Sequence, residues 1–114
     1  MKLVRDNIPA IILEKQSNCA YAECKDSELL CRLLENKLFE EAKEFIGDYS
    51  IAEAADILTV LYYLYITKRN TEEKIYDLDA FLEDLRAVFL AKLDSNGGFE
   101  KGYILLDRED YSHD

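Results

Sequence analysis

Two pairs of carboxylates stand out by their spacing, Glu41 with Glu44 and Glu53 with Asp56, inside the stretch Lys37 to Tyr65. Residues three apart on an α-helix share a face and lie about 4.5 Å apart along the axis. A short break between the pairs divides the stretch into two helices, and if these fold back on each other the four acids converge. Ionised carboxylates brought together repel, and a cation relieves the repulsion. The donors are all oxygen, with no His or Cys among them, which selects Mg²⁺, with Mn²⁺ as a substitute, over zinc. Magnesium bridges to phosphate oxygens, and two such ions can clamp an in-line displacement at phosphorus. The implied substrate therefore carries a di- or triphosphate. Glu41 and Glu44 are the candidates for the base that assists an attacking water.

Position separates these acids from an ordinary solvated face. Glu41 follows Leu34 and Leu38 and precedes Phe45 at helical intervals, so it falls on the apolar stripe. Asp56 is embedded in AADILTVLYYLYI, where an unpaired charge costs several kcal/mol. Glu53 carries a competing role, because Ser50-x-x-Glu53 reads as a capping box and a capping glutamate needs no metal. Glu44 has the alternative of facing solvent beside Lys43, and Glu40 is the spare acid of the group. Lys37, one turn before the acids, reaches either phosphate oxygens or Glu41 at i+4.

The elements that must position these groups are helical. Pro9 suits a first turn, with Asn7 as a capping candidate, and predicts a short helix to about Gln16 with Ile11, Ile12 and Leu13 turned inward. A loop around Tyr21 follows. Asp26 or Ser27 caps a long helix to about Ile46, stopped by Gly47-Asp48, with Leu30, Leu34, Leu38 and Phe45 as its stripe. The next helix runs from Ser50 to about Thr67; its apolar residues lie all round, which predicts the central, most buried helix. Lys68-Arg69 sits favourably at its C-terminus. Asn70 and Glu73 form a second capping box for a helix from Thr71 to Asp94, with a bend near Asp77 to Asp79 and Ile75 in its apolar set. Asn96-Gly97-Gly98 ends it, and Tyr103 to Leu106 reads as a short extended segment before an acidic tail.

Composition bounds the rest. A chain of 114 residues with 49% hydrophobic residues is one folding domain, spanning 1–114, and its Leu, Ala, Glu and Lys content with a single proline points to an all-α class. A net charge of −10 without a basic cluster argues against nucleic acid as a partner. The longest apolar run, Ile57 to Ile66, is shorter than the ~20 residues of a membrane span. Three cysteines, Cys19, Cys24 and Cys31, in no zinc framework fit a reduced, cytoplasmic setting. The single histidine, His113, removes most support for histidine-based zinc or triad chemistry. Tyr62, Tyr63, Tyr65 and Phe39 offer faces for a nucleobase, though aromatics at helical spacing more often pack in a core or a subunit interface. A chain this small has little interior to hide so apolar a helix, which favours an oligomer.

The arrangement Glu40-Glu41-x-x-Glu44 with Glu53-x-x-Asp56 resembles the metal-binding motif of the all-α nucleoside triphosphate pyrophosphatases, the MazG-like and phosphoribosyl-ATP pyrophosphohydrolase-like proteins. The opening KLVRDNIPAII, Lys2 to Ile12, and the run from Gly97-Gly98-Phe99 into KGYILL resemble the two ends of one subgroup. The chain departs from the pattern in a short gap between the acid pairs, a long segment from Thr71 to Gly97, and Asn96 where an arginine often stands. The resemblance implies a bundle of four to five helices assembling as a homodimer or tetramer, and Mg²⁺-dependent hydrolysis of a nucleotide to its monophosphate and pyrophosphate. It implies Glu41, Glu44, Glu53 and Asp56 as ligands, Lys2, Arg5 and Asp6 near the site, and Lys92 as a phosphate contact. The rival reading, from a different class, is a non-catalytic helical oligomer that binds a partner, a nucleotide or a metal without turnover.

Overall fold

The computed structural model describes residues 1–69 and 77–107. Among them are four α-helices and no strand: α1 (Ile8–Lys15), α2 (Ser27–Asp48), α3 (Ile51–Arg69) and α4 (Leu78–Asn96). The expected cap at Asn70 and Glu73, the helical residue Ile75, His113 and all but the first residue of the acidic tail lie outside the described residues. The chain divides into two compact units, Met1–Leu78 and Asp79–Asp114. No helix among the described residues is long and apolar enough to cross a membrane.

In the first unit, α2 and α3 are the packed pair. The start of α2 is set chemically. Asp26 stands in extended conformation, and its Oδ1 accepts from the backbone N–H of Glu28 at 3.0 Å and of Leu29 at 3.3 Å. Two of the orphan donors of the first turn are thereby satisfied. The inward stripe of α2 is Cys31, Leu34, Leu38, Glu41 and Phe45, with Cys31, Leu34 and Glu41 buried. The expected stop at Gly47-Asp48 is displaced: α2 runs through both residues, and Tyr49 ends it in the left-handed region at φ 53. Its N–H caps the Phe45 carbonyl, and its ring meets that of Phe45 edge-on at 5.5 Å. This contact offsets the unfavourable backbone of a non-glycine residue there.

Only Tyr49 and Ser50 separate α2 from α3. Ser50 Oγ accepts from the Glu53 N–H at 3.1 Å, and Asp48 Oδ1 accepts from the Ser50 N–H at 3.0 Å. The expectation that α3 is the most buried helix is met only in part: most of its residues are at least partly covered, but few are buried. Val60 is its one buried residue, while Ile51, Leu61 and Tyr63 are exposed. An all-round apolar helix needs neighbours on every side, and within the first unit α2 covers a single face. In α1 the inward residues are Ile8 and Ile12, four apart, whereas Ile11 and Leu13 stand out. Of the helix expected from Thr71 to Asp94, residues 71–76 lie outside the described residues; Asp77 is not helical, which falls at the bend expected near Asp77 to Asp79, and the described helix starts at Leu78.

In the second unit, α4 ends where Asn96-Gly97-Gly98 predicts, with Gly97 at φ 81 donating its N–H to the Leu93 carbonyl at 2.9 Å. Residues 103–107 have no regular structure, so the extended YILL segment pairs with no strand among the described residues. Removal of the α2 cap by Asp26→Ala is expected to lower stability by about 1 kcal/mol, read from urea melts with an unchanged m-value.

Candidate metal centre

The fold-back of α2 on α3 brings Glu41, near the end of one helix, against Glu53 and Asp56, near the start of the next. One carboxylate oxygen from each of the three lies within 4.8 Å of the others. Opposite ligands of a magnesium ion sit about 4.2 Å apart, twice a bond of ~2.1 Å, so a small side-chain adjustment closes the set on an ion. The donor set is hard and anionic, as that ion requires.

Burial distinguishes Glu41 from a surface acid, whereas Asp56, expected to be embedded and unpaired, has a side chain 36% exposed and paired with Arg5. Glu41 is 6% exposed. Its Oε1 is held by Lys37 Nζ at 3.2 Å, while its Oε2 is buried without a hydrogen-bond partner. Glu53 Oε2 is likewise buried and unpartnered. The competing capping role of Glu53 is set aside by geometry: the Ser50 N–H that a capping-box glutamate would accept is taken by Asp48. Ser50 still caps Glu53, but the Glu53 carboxylate is left for other use. Buried carboxylate oxygens without a partner are unfavourable, and a cation between the two acids removes that cost.

Neighbouring carboxylates raise the pKa values of Glu44 and Glu53. Glu44 is pushed above its ordinary value of 4.5, first by hydrogen bonding and charge at Glu41, then by desolvation and by the charges of Glu53 and Glu40. With both groups ionised neither supplies a hydrogen, so that bond forms only when a proton is shared. Glu53 is raised by desolvation first, then by Asp48, Asp56 and Glu41. Glu44 thus feels the charges of Glu41 and Glu53, two of the three converging acids, while itself exposed to water.

The cations expected near the site take definite partners. Arg5 Nη2 donates to Asp56 Oδ1 at 2.7 Å and to Thr59 Oγ1 at 3.2 Å. Lys37 spans Glu41 and Glu40, the latter at 3.9 Å, and Lys2 lies 3.8 Å from Glu40. Lys37 therefore follows the i+4 pairing open to it. Asp6 lines a cavity of about 910 Å³ together with Lys2, Arg5, Ile12, Tyr21 and Leu30. Lys92 and Asn96 belong to α4, and Lys92 is exposed. Sequence reasoning missed Thr59, whose hydroxyl donates to the Ala55 carbonyl at 2.8 Å and keeps lone-pair capacity for Arg5. It also missed Asp48, although Asp-x-Ser before a helix is a local signal for a side chain turning onto the backbone.

Comparison with known proteins gives no match to a family model, to a curated protein or to a solved structure.

Two outcomes test this geometry. Glu53→Gln is expected to raise the melting temperature of the metal-free protein, since it removes a charge that nothing pairs, and to weaken the stabilisation that Mg²⁺ confers. The second concerns pH. A carboxyl raised in the native state binds protons there before the unfolded chain does. Stability of the metal-free protein contributed by Glu44 and Glu53 therefore rises as pH falls from neutrality through their raised values towards 4.5. Urea melts across that range are expected to show a shallower dependence in Glu53→Gln than in the parent protein.

Proposed function

We propose that this chain is a Mg²⁺-dependent nucleotide pyrophosphohydrolase of the MazG-like, phosphoribosyl-ATP pyrophosphohydrolase-like kind. The observation that carries the reading is the convergence of Glu41, buried and with its Oε2 unpartnered, on Glu53 and Asp56. Glu41, Glu53 and Asp56 are the ligands, with Glu44 completing the acidic set; Mn²⁺ substitutes for Mg²⁺. Bound, the ion neutralises charge on the phosphate oxygens. Glu44, exposed and raised in pKa, takes the proton from a water as that water's oxygen bonds to phosphorus. The anhydride P–O bond breaks, and a nucleoside monophosphate and pyrophosphate leave. Glu41 aids the step by holding the Glu44 pKa up.

The surroundings support a nucleotide as substrate. Lys2, Arg5 and Lys37 ring the acids, and the adjoining cavity is of the size that takes a small ligand. Lys92 as a further phosphate contact rests on the sequence resemblance. A homo-oligomer is favoured by the face of α4 bearing Leu78, Leu82, Leu85, Phe89 and Leu93, all between 39% and 59% exposed. The same face is the observation that favours the second reading, an oligomeric binding protein without turnover.

Release of pyrophosphate from a panel of nucleoside triphosphates separates the two. The expected outcome is release that requires Mg²⁺ or Mn²⁺, stops with EDTA, and falls at least about a hundredfold in Asp56→Asn, beyond the loss typical of groups behind the ligands. Undiminished activity in that variant overturns the assignment. Silence across the panel, with metal binding intact, favours the binding protein.

A further inference from the structure

We propose that Arg5 is a built-in counter-ion of the acidic cluster, seated on Asp56 until a divalent cation displaces it. The inference rests on the metal-centre reading and goes beyond it, since it assigns the leading segment of the chain a part in loading the site.

The residues that hold Arg5 are specific. Its guanidinium meets Asp56 Oδ1 at 2.7 Å and Thr59 Oγ1 at 3.2 Å, two side chains three residues apart on one face of α3. Thr59 has its own hydroxyl proton committed to the Ala55 carbonyl, so its oxygen is oriented to accept. Asp56 is also one of the three acids whose oxygens converge. A guanidinium and a divalent ion on the same carboxylate repel each other, and removal of Arg5 relieves that repulsion.

The departure is easy. The Arg5 side chain is 57% exposed, and exposed ion pairs contribute little. Residues 1–5 have no regular structure. The segment is tied to α1 through the bond from the Ile8 N–H to the Arg5 carbonyl at 3.0 Å, which holds the backbone and leaves the side chain free to swing. Arg5 also lines the 910 Å³ cavity, together with Asp6 and Glu23, so the displaced guanidinium has room and carboxylates beside the site. There it meets the phosphate oxygens that the proposed reaction brings. Lys2 carries the same charge on the same segment but reaches only Glu40, outside the converging set.

The test is an Mn²⁺ titration, followed by the EPR signal of the free ion, on the parent protein, Arg5→Gln and Lys2→Gln at physiological salt. Arg5→Gln is expected to bind Mn²⁺ about two- to fivefold more tightly, as loss of an exposed competing ion pair implies. Lys2→Gln, an equal change in charge, is expected to shift affinity less. Tryptic cleavage after Arg5 gives an independent readout, because trypsin must take that side chain into its own specificity pocket. Cleavage there is expected to quicken with Mn²⁺ relative to cleavage after the exposed Lys101, and to be fast with or without Mn²⁺ in Asp56→Asn. Equal or weaker Mn²⁺ binding by folded Arg5→Gln overturns the proposal, as does cleavage after Arg5 that Mn²⁺ leaves unchanged. No Mn²⁺ binding by any of the three proteins overturns the metal centre itself, and the inference with it.

Discussion

Mutual repulsion among carboxylates is the constraint around which the first unit is arranged. Packing α2 on α3 is favourable because Leu34, Val60 and their neighbours leave water, yet the same packing forces Glu41, Glu53 and Asp56 together. An ordinary core would carry leucines at such positions. Here the apolar stripe is interrupted by an acid at the point where the helices meet, and the surrounding cations answer the charge only in part. Lys37 covers one oxygen of Glu41 and Arg5 one of Asp56, while Glu41 Oε2 and Glu53 Oε2 have no hydrogen-bond partner. Stability lost in this way is common where a fold serves chemistry, and the raised pKa values of Glu44 and Glu53 are its electrostatic trace.

The hydrophobic side of the balance is correspondingly thin. No side chain among the described residues is fully buried, and α3, apolar on all sides, shows Leu61 and Tyr63 to water. The face of α4 that carries Leu82, Leu85, Phe89 and Leu93 is apolar in the same way, and each of these side chains is more than a third exposed. The acidic cluster, by contrast, draws all its groups from the first unit.

What could be read from the sequence follows the range of the interactions. The Asp26 cap, the Pro9 turn and the Asn96-Gly97-Gly98 stop act over three or four residues, and each has a residue type that signals it. Glu41 was visible as an acid on an apolar stripe because helical period alone places it there. The end of α2 was misplaced because Gly47 tolerates the helix it occupies, while Tyr49 adopts φ 53 for the sake of a ring contact with Phe45. The pairing of Arg5 with Asp56 spans 51 residues, and no local pattern announces a partner at that distance. The exposure of α3 was hidden for another reason: composition tells how much apolar surface a helix has, not what comes to cover it.

The two-residue link at Tyr49-Ser50 has a consequence for how this fold can vary. Surface connections usually accept extra residues at small entropic cost. An added residue early in α3, between Ile51 and Glu53, would leave the helix intact yet rotate everything beyond it by about 100°. Glu53 and Asp56 would then sweep away from Glu41, and Val60 would leave the face that meets α2 in the same turn. Length in this region therefore sets the phase of the acids and of the core together, so the chemistry and the packing of the hairpin cannot be varied separately by insertion there.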